Sequence, residues 1–65
     1  MAKLPRLTAA EAERRLLKAG FVLVRSKGSH RIYFRINQRV VLPFHRGKTL
    51  HPKIVREVLL ATGVL

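Results

Sequence analysis

Three histidines, His30, His45 and His51, stand among fourteen lysines and arginines in a chain of 65 residues that has only three carboxylates and no cysteine. That inventory narrows the chemistry. Nucleases that use Mg²⁺ hold it with clustered carboxylates. Glu11, Glu13 and Glu57 read as surface residues of helices and supply no such cluster. Without cysteine there is no thiolate nucleophile or thiolate metal ligand. Ser29 has no Asp–His pair close in sequence to activate it, and neither a Walker-type phosphate loop nor a dinucleotide fingerprint is present. No spacing rule supports a zinc site built from the three histidines. No metal or small-molecule cofactor is therefore expected. What remains is an imidazole among cations. Histidine moves protons near neutral pH, and Arg and Lys stabilise negative charge that builds on phosphorus. RNA carries its own nucleophile, the 2′-hydroxyl beside each phosphate, so its cleavage asks for little more than these two functions.

The charge balance points the same way. A formal net charge of +11 and a pI near 11.9 imply an anionic partner, because such an excess repels itself in the folded state. Nucleic acid is the first candidate, an anionic membrane surface the second and an acidic protein the third. The basic residues run from Lys3 to Arg56 rather than gathering in a tail, which argues for a folded basic surface. With 48% hydrophobic residues, the chain is expected to fold as one small domain over residues 1–65. Its first residues lack the apolar stretch of a secretory signal, and no apolar run approaches membrane-spanning length. A cytoplasmic location is the resulting expectation.

Of the three histidines, His30 has the most suggestive setting, the stretch Lys27-Gly28-Ser29-His30-Arg31-Ile32-Tyr33-Phe34. Gly28-Ser29 reads as a tight turn. From His30 the residues alternate, with Ile32, Phe34 and Ile36 on one side and Arg31, Tyr33 and Arg35 on the other, the period of a half-buried strand. By hydropathy the isoleucine–phenylalanine side faces the core. The other side then shows a tyrosine between two arginines, and Tyr33 is placed to stack an RNA base. Arg25, Lys27, Arg31, Arg35 and Arg39 lie on or beside the sheet as phosphate ligands, with Ser29 and Gly28 shaping the turn that presents His30. Simpler roles exist for the same residues. His30 is in phase with Ile32 and would then cap the rim of the core; Tyr33 would be part of a solvent-facing strand surface; His45 would shape a loop; His51 would cap a helix.

The elements that must position this stretch follow from pattern. Thr8-Ala9-Ala10-Glu11 fits a capping box, and Ala9, Ala12, Leu16 and Ala19 recur at helical spacing with Leu17 widening the stripe, so a helix is predicted over residues 9–19. Gly20 stops it. Residues 21–26 are β-branched and aromatic and read as a strand, residues 30–36 as a second, and residues 39–42 as a third closed by Pro43, with Asn37-Gln38 as the hairpin break. His51-Pro52 opens a second helix with His51 as its cap; Ile54, Val55, Val58 and Leu59 form its apolar stripe, and Thr62-Gly63 ends it. The order α-β-β-β-α predicts an α+β two-layer domain, a three-stranded antiparallel sheet with both helices on one face.

Lys-Ala-Gly-Phe at 18–21, Lys-Gly-Ser-His-Arg-Ile-Tyr at 27–33, Val-Leu-Pro-Phe-His at 41–45 and the closing Ala-Thr-Gly-Val at 61–64 together resemble the HicA family, the small YcfA-like mRNA interferase toxins of type II toxin–antitoxin pairs. The likeness runs from about Leu7 to Leu65, and Gly28-Ser29-His30 is its most specific part. It implies a double-stranded-RNA-binding-domain-like fold, metal-independent endoribonuclease cleavage of mRNA, a catalytic role for His30, and a HicB-type antitoxin as partner. His45 matches a position often seen in the family, with its role left open. Two rivals remain at this point. One is a non-catalytic RNA-binding module that uses the same basic face. The other is an interaction domain whose basic face serves an acidic protein.

Overall fold

The computed structural model describes residues 4–65, and Lys3, the first of the basic residues noted above, lies outside them. Five elements follow one another: helix α1 (Ala9–Lys18), strands β1 (Val22–Lys27), β2 (His30–Arg35) and β3 (Gln38–Pro43), and helix α2 (Pro52–Ala61). The strands form one antiparallel sheet in the order β1-β2-β3. The α-β-β-β-α architecture is the one expected, with boundaries displaced by a residue or so.

Helix α1 starts where its capping box places it. The Thr8 hydroxyl accepts from the Glu11 amide, and the Glu11 carboxylate accepts from the Thr8 amide at 2.9 Å. That amide, then the Thr8 hydroxyl, holds the Glu11 carboxyl below its usual range. A threonine cap of this kind contributes roughly 1 kcal/mol. Helix α2 is capped differently: Nδ1 of His51 accepts from the Lys53 amide at 3.0 Å, with Pro52 in the first turn. The two helix starts are tied together by a Thr8–Thr49 bridge and by the Leu50 amide, which donates to the Leu7 carbonyl at 2.7 Å. Ala9, Ala12 and Leu16 of α1 and Val55, Val58 and Leu59 of α2 fill a single core with Leu7, Phe21, Tyr33, Val40, Leu42 and Leu50. Leu17 does not widen the buried α1 stripe as expected; it is about half exposed.

The sheet turns the opposite face inward from the one that hydropathy favours. Tyr33 is wholly buried, whereas Phe34 keeps 43% and Ile36 79% of their exposure. The reason lies in which residues of β3 are buried, since a tip at Asn37-Gln38 would move every partner by two residues and leave Tyr33 on the same face as Val40 and Leu42. The hairpin turns at Ile36-Asn37, one residue earlier than expected, and both residues have positive φ (36° and 60°), as a two-residue hairpin of the primed type requires. Asparagine accepts that conformation readily; a β-branched isoleucine does so rarely. The turn sets Arg35 opposite Gln38, Tyr33 opposite Val40, Arg31 opposite Leu42 and Phe34 opposite Arg39. Residues directly opposite share a face. Val40 and Leu42 are buried and Arg39 is exposed, so Tyr33 goes in with the first pair and Phe34 goes out with the arginine.

Strand β1 lies at the sheet edge and is exposed along its whole length. A bulge between Leu23 and Arg25 shifts its register, after which Arg25 stands opposite Ile32 and Lys27 opposite His30. The outer face of the sheet is therefore three cross-strand rows: Lys27, His30 and Pro43; Arg25, Ile32 and Val41; Val22, Phe34 and Arg39.

Candidate active site at the first hairpin turn

The turn between β1 and β2 consists of Gly28 and Ser29, and Gly28 takes φ +58° with open space where a side chain would be. Glycine adopts this left-handed conformation without steric cost. The turn is braced from just beyond the third strand, since the Phe44 amide donates to the Ser29 carbonyl at 2.6 Å. His30 follows as the first residue of β2, and its side chain is exposed. It does not cap the core; it belongs to the outer face, in the row of Lys27 and Pro43. Arg25, on the next row of that face, is exposed as well. The turn, the edge strand and the third strand thus hold an accessible imidazole beside two cations. A proton-transferring group next to fixed positive charge is an arrangement that can act on a phosphodiester.

The remaining residues of the expected site lie elsewhere. Arg31, Tyr33 and Arg35 were expected to share a surface with His30, and they point to the helical side instead. Tyr33 has no exposed ring surface and cannot stack a base; its hydroxyl donates to Glu13 of α1. Burial, and after it the bond to Glu13, push the phenol above its ordinary value, while Arg31 pulls the other way. Arg31 donates to Glu13 at 2.9 Å and lies 4.0 Å over the ring of Phe44. The Glu13 bond raises its pKa further, so the guanidinium stays charged and engaged. Arg35 runs past the end of α1, where a Cβ on Gly20 would meet its Nε at 3.3 Å. Long basic side chains reach solvent from an inward-facing position while their stems cover apolar surface, which is how two arginines flank a buried tyrosine. His45 is exposed in the loop after β3, next to the residue that braces the His30 turn, and His51 is the α2 cap. Among the described residues, no group of three or more histidines or carboxylates is placed to hold a metal ion.

Glu13 is the residue that sequence reasoning missed. It was expected on the surface; its side chain is 22% exposed and joins two β2 residues to α1. A signal existed. Ala9, Ala12, Glu13 and Leu16 are spaced i, i+3, i+4, i+7, so Glu13 lies within the buried stripe of α1. Glu13→Ala should cost about 1–3 kcal/mol, because the buried Tyr33 hydroxyl loses its acceptor, and Glu13→Gln should recover part of that. Thermal or urea unfolding of the two variants reads the difference; a Glu13→Ala protein as stable as wild type would remove this contact from the account of the fold.

No helix among the described residues is long and apolar enough to cross a membrane. Compared with known proteins, residues 9–64 match the family model described as HicA toxin of bacterial toxin-antitoxin. None of the curated proteins and none of the solved structures compared with the chain matches it.

Proposed function

The chain belongs to the HicA toxin family of bacterial toxin–antitoxin systems, and from that premise we propose that it is an endoribonuclease that cleaves mRNA without a metal ion, using His30. The observation that carries the proposal is the exposed imidazole at the first hairpin turn, in register with Lys27 and one row from Arg25. In the reaction the 2′ oxygen of RNA forms a bond to the adjacent phosphorus as the bond to the 5′ oxygen breaks. His30 accepts the proton that the 2′-hydroxyl loses, and water supplies the one that the departing 5′ oxygen takes up. The products are a 2′,3′-cyclic phosphate and a 5′-hydroxyl. Lys27 and Arg25 stabilise the charge on the phosphoryl oxygens, and Gly28 and Ser29 hold the turn open to the backbone of the substrate. Arg31, paired with Glu13, and Arg35, beside Gly20, contribute positive field from the helical side rather than contacts at the reacting phosphate. A toxin of such a pair has a cognate antitoxin; we assign it to the HicB type, covering the outer face and with it His30.

The test is cleavage of a defined RNA by the purified protein in excess EDTA, with the product ends identified. Cyclic phosphate ends from the wild type, and none from His30→Ala, are the expected result. Retention of RNA on the protein without any cleavage would instead make it a binding module.

A further inference from the structure

The outer face of the sheet carries a second functional group besides His30. We propose that Phe34 is a base-stacking platform for single-stranded RNA, and that the strand of RNA whose phosphate reaches His30 lies along β2 with a base on this ring. The inference rests on the ribonuclease reading above and adds the path of the substrate to it.

Four observations support it. Phe34 is the aromatic residue that the β2–β3 register turns outward, with 43% of its surface open, while the single tyrosine is buried. It shares its face with His30, four residues earlier on the same strand, a separation of about 13 Å at the rise of an antiparallel strand. Each row of this face has one cation, Lys27 beside His30, Arg25 beside Ile32 and Arg39 beside Phe34, so positive charge accompanies the whole distance from ring to imidazole. The strands contain no acid; the three glutamates belong to the helices or their flanks. A cationic track with an aromatic face is the general device for single-stranded nucleic acid, in which backbone charge gives attachment and the ring takes a base of any kind. An RNA substrate must in any case touch this face, because His30 opens onto it. Charge complementarity and continuity with the imidazole therefore favour RNA as the occupant.

The probe is a short single-stranded oligoribonucleotide of mixed sequence with 2′-O-methyl groups, which cannot be cleaved because the nucleophile is blocked. Its affinity is measured for the wild type and for Phe34→Ala, Phe34→Leu and Phe34→Trp. Phe34→Ala and Phe34→Leu should bind about tenfold more weakly or worse, and Phe34→Trp should match the wild type; thermal melts should show all three folded at the binding temperature, with Phe34→Ala the least stable because more than half of the residue's surface is covered. Against an oligomer of equal length and charge that lacks bases, wild type and Phe34→Ala should bind alike. Wild-type affinity in Phe34→Leu overturns the proposal, since leucine keeps the apolar surface and removes only the ring; the face would then suit an aliphatic surface of an acidic protein. Cleavage of unmodified RNA by each variant, run in parallel, separates the two levels. A wild type that cleaves, with Phe34→Leu binding normally, removes the platform and leaves the ribonuclease reading intact. A wild type that neither binds nor cleaves removes both.

Discussion

His30→Ala should lower the rate of RNA cleavage by about 10²- to 10⁴-fold, the usual contribution of a positioned general acid or base, while leaving the fold and RNA binding close to wild type. The side chain is exposed and contributes nothing to the core, so its removal creates no cavity. Lys27, Arg25 and Arg39 stay in place to attract the phosphate backbone. The contrast with His51→Ala makes the result specific. His51 accepts a backbone hydrogen bond at the start of α2, so losing it should cost stability, about 1 kcal/mol as for other caps, with little change in rate per folded molecule. Cleavage rates at saturating RNA, set beside thermal melts of both variants, distinguish the two roles. If His30→Ala cleaves as fast as wild type, the imidazole at the turn is not the proton-transfer group and the mechanism given above is wrong.

Tyr33→Ala should be the most damaging single substitution in the sheet. Large aromatic-to-alanine changes in cores cost about 3–5 kcal/mol, and a domain of this size has a total stability on the order of 5 kcal/mol. The variant is expected to lose cooperative unfolding or to melt far below wild type. Tyr33→Phe keeps the ring and removes only the hydroxyl, leaving Glu13 its bond to Arg31, so it should lose about 1 kcal/mol. Because the chain has one tyrosine and no tryptophan, tyrosinate absorbance reports on this position alone. The phenol is raised above its ordinary value in the folded state. Its contribution to stability is therefore complete below about pH 10, where the unfolded chain's tyrosine ionises, and is lost as pH rises beyond that. Ionisation should be delayed in the folded protein and should accompany unfolding. A Tyr33→Ala protein within 1 kcal/mol of wild type would put the isoleucine–phenylalanine side of β2 back in the core.

That second prediction marks the boundary of what the amino-acid sequence discloses. Element order and both caps were legible because each rests on a local rule: Thr8 with Glu11, His51 with Pro52, glycine at the first turn. The face of β2 was not, because alternation defines two faces without saying which is buried, and ranking them by hydropathy chose Ile32, Phe34 and Ile36. The deciding fact is non-local. Strand β3 buries Val40 and Leu42, and Tyr33 and Arg31 stand opposite them, while the run Val40-Val41-Leu42 has no phase of its own to reveal which of its residues go in. The same inversion redistributes the expected site. His30 and Lys27 remain together because they adjoin the turn. Arg31, Tyr33 and Arg35 leave because odd and even positions separate. Phe34 takes the outward position given to Tyr33, and Glu13, already within the α1 stripe by its spacing, gains its partners once the tyrosine points at α1.

The placement of every glutamate outside the sheet has a consequence for encounter as well as for binding. Lys27, Arg25 and Arg39 face outward with no acid among them, whereas on the helical side Arg31 is paired with Glu13 and the cations of α1 and α2 stand beside Glu11, Glu13 and Glu57. The net charge of +11 draws a polyanion in from a distance in any orientation, and the face without acids is the one that keeps its full attraction once the surfaces meet.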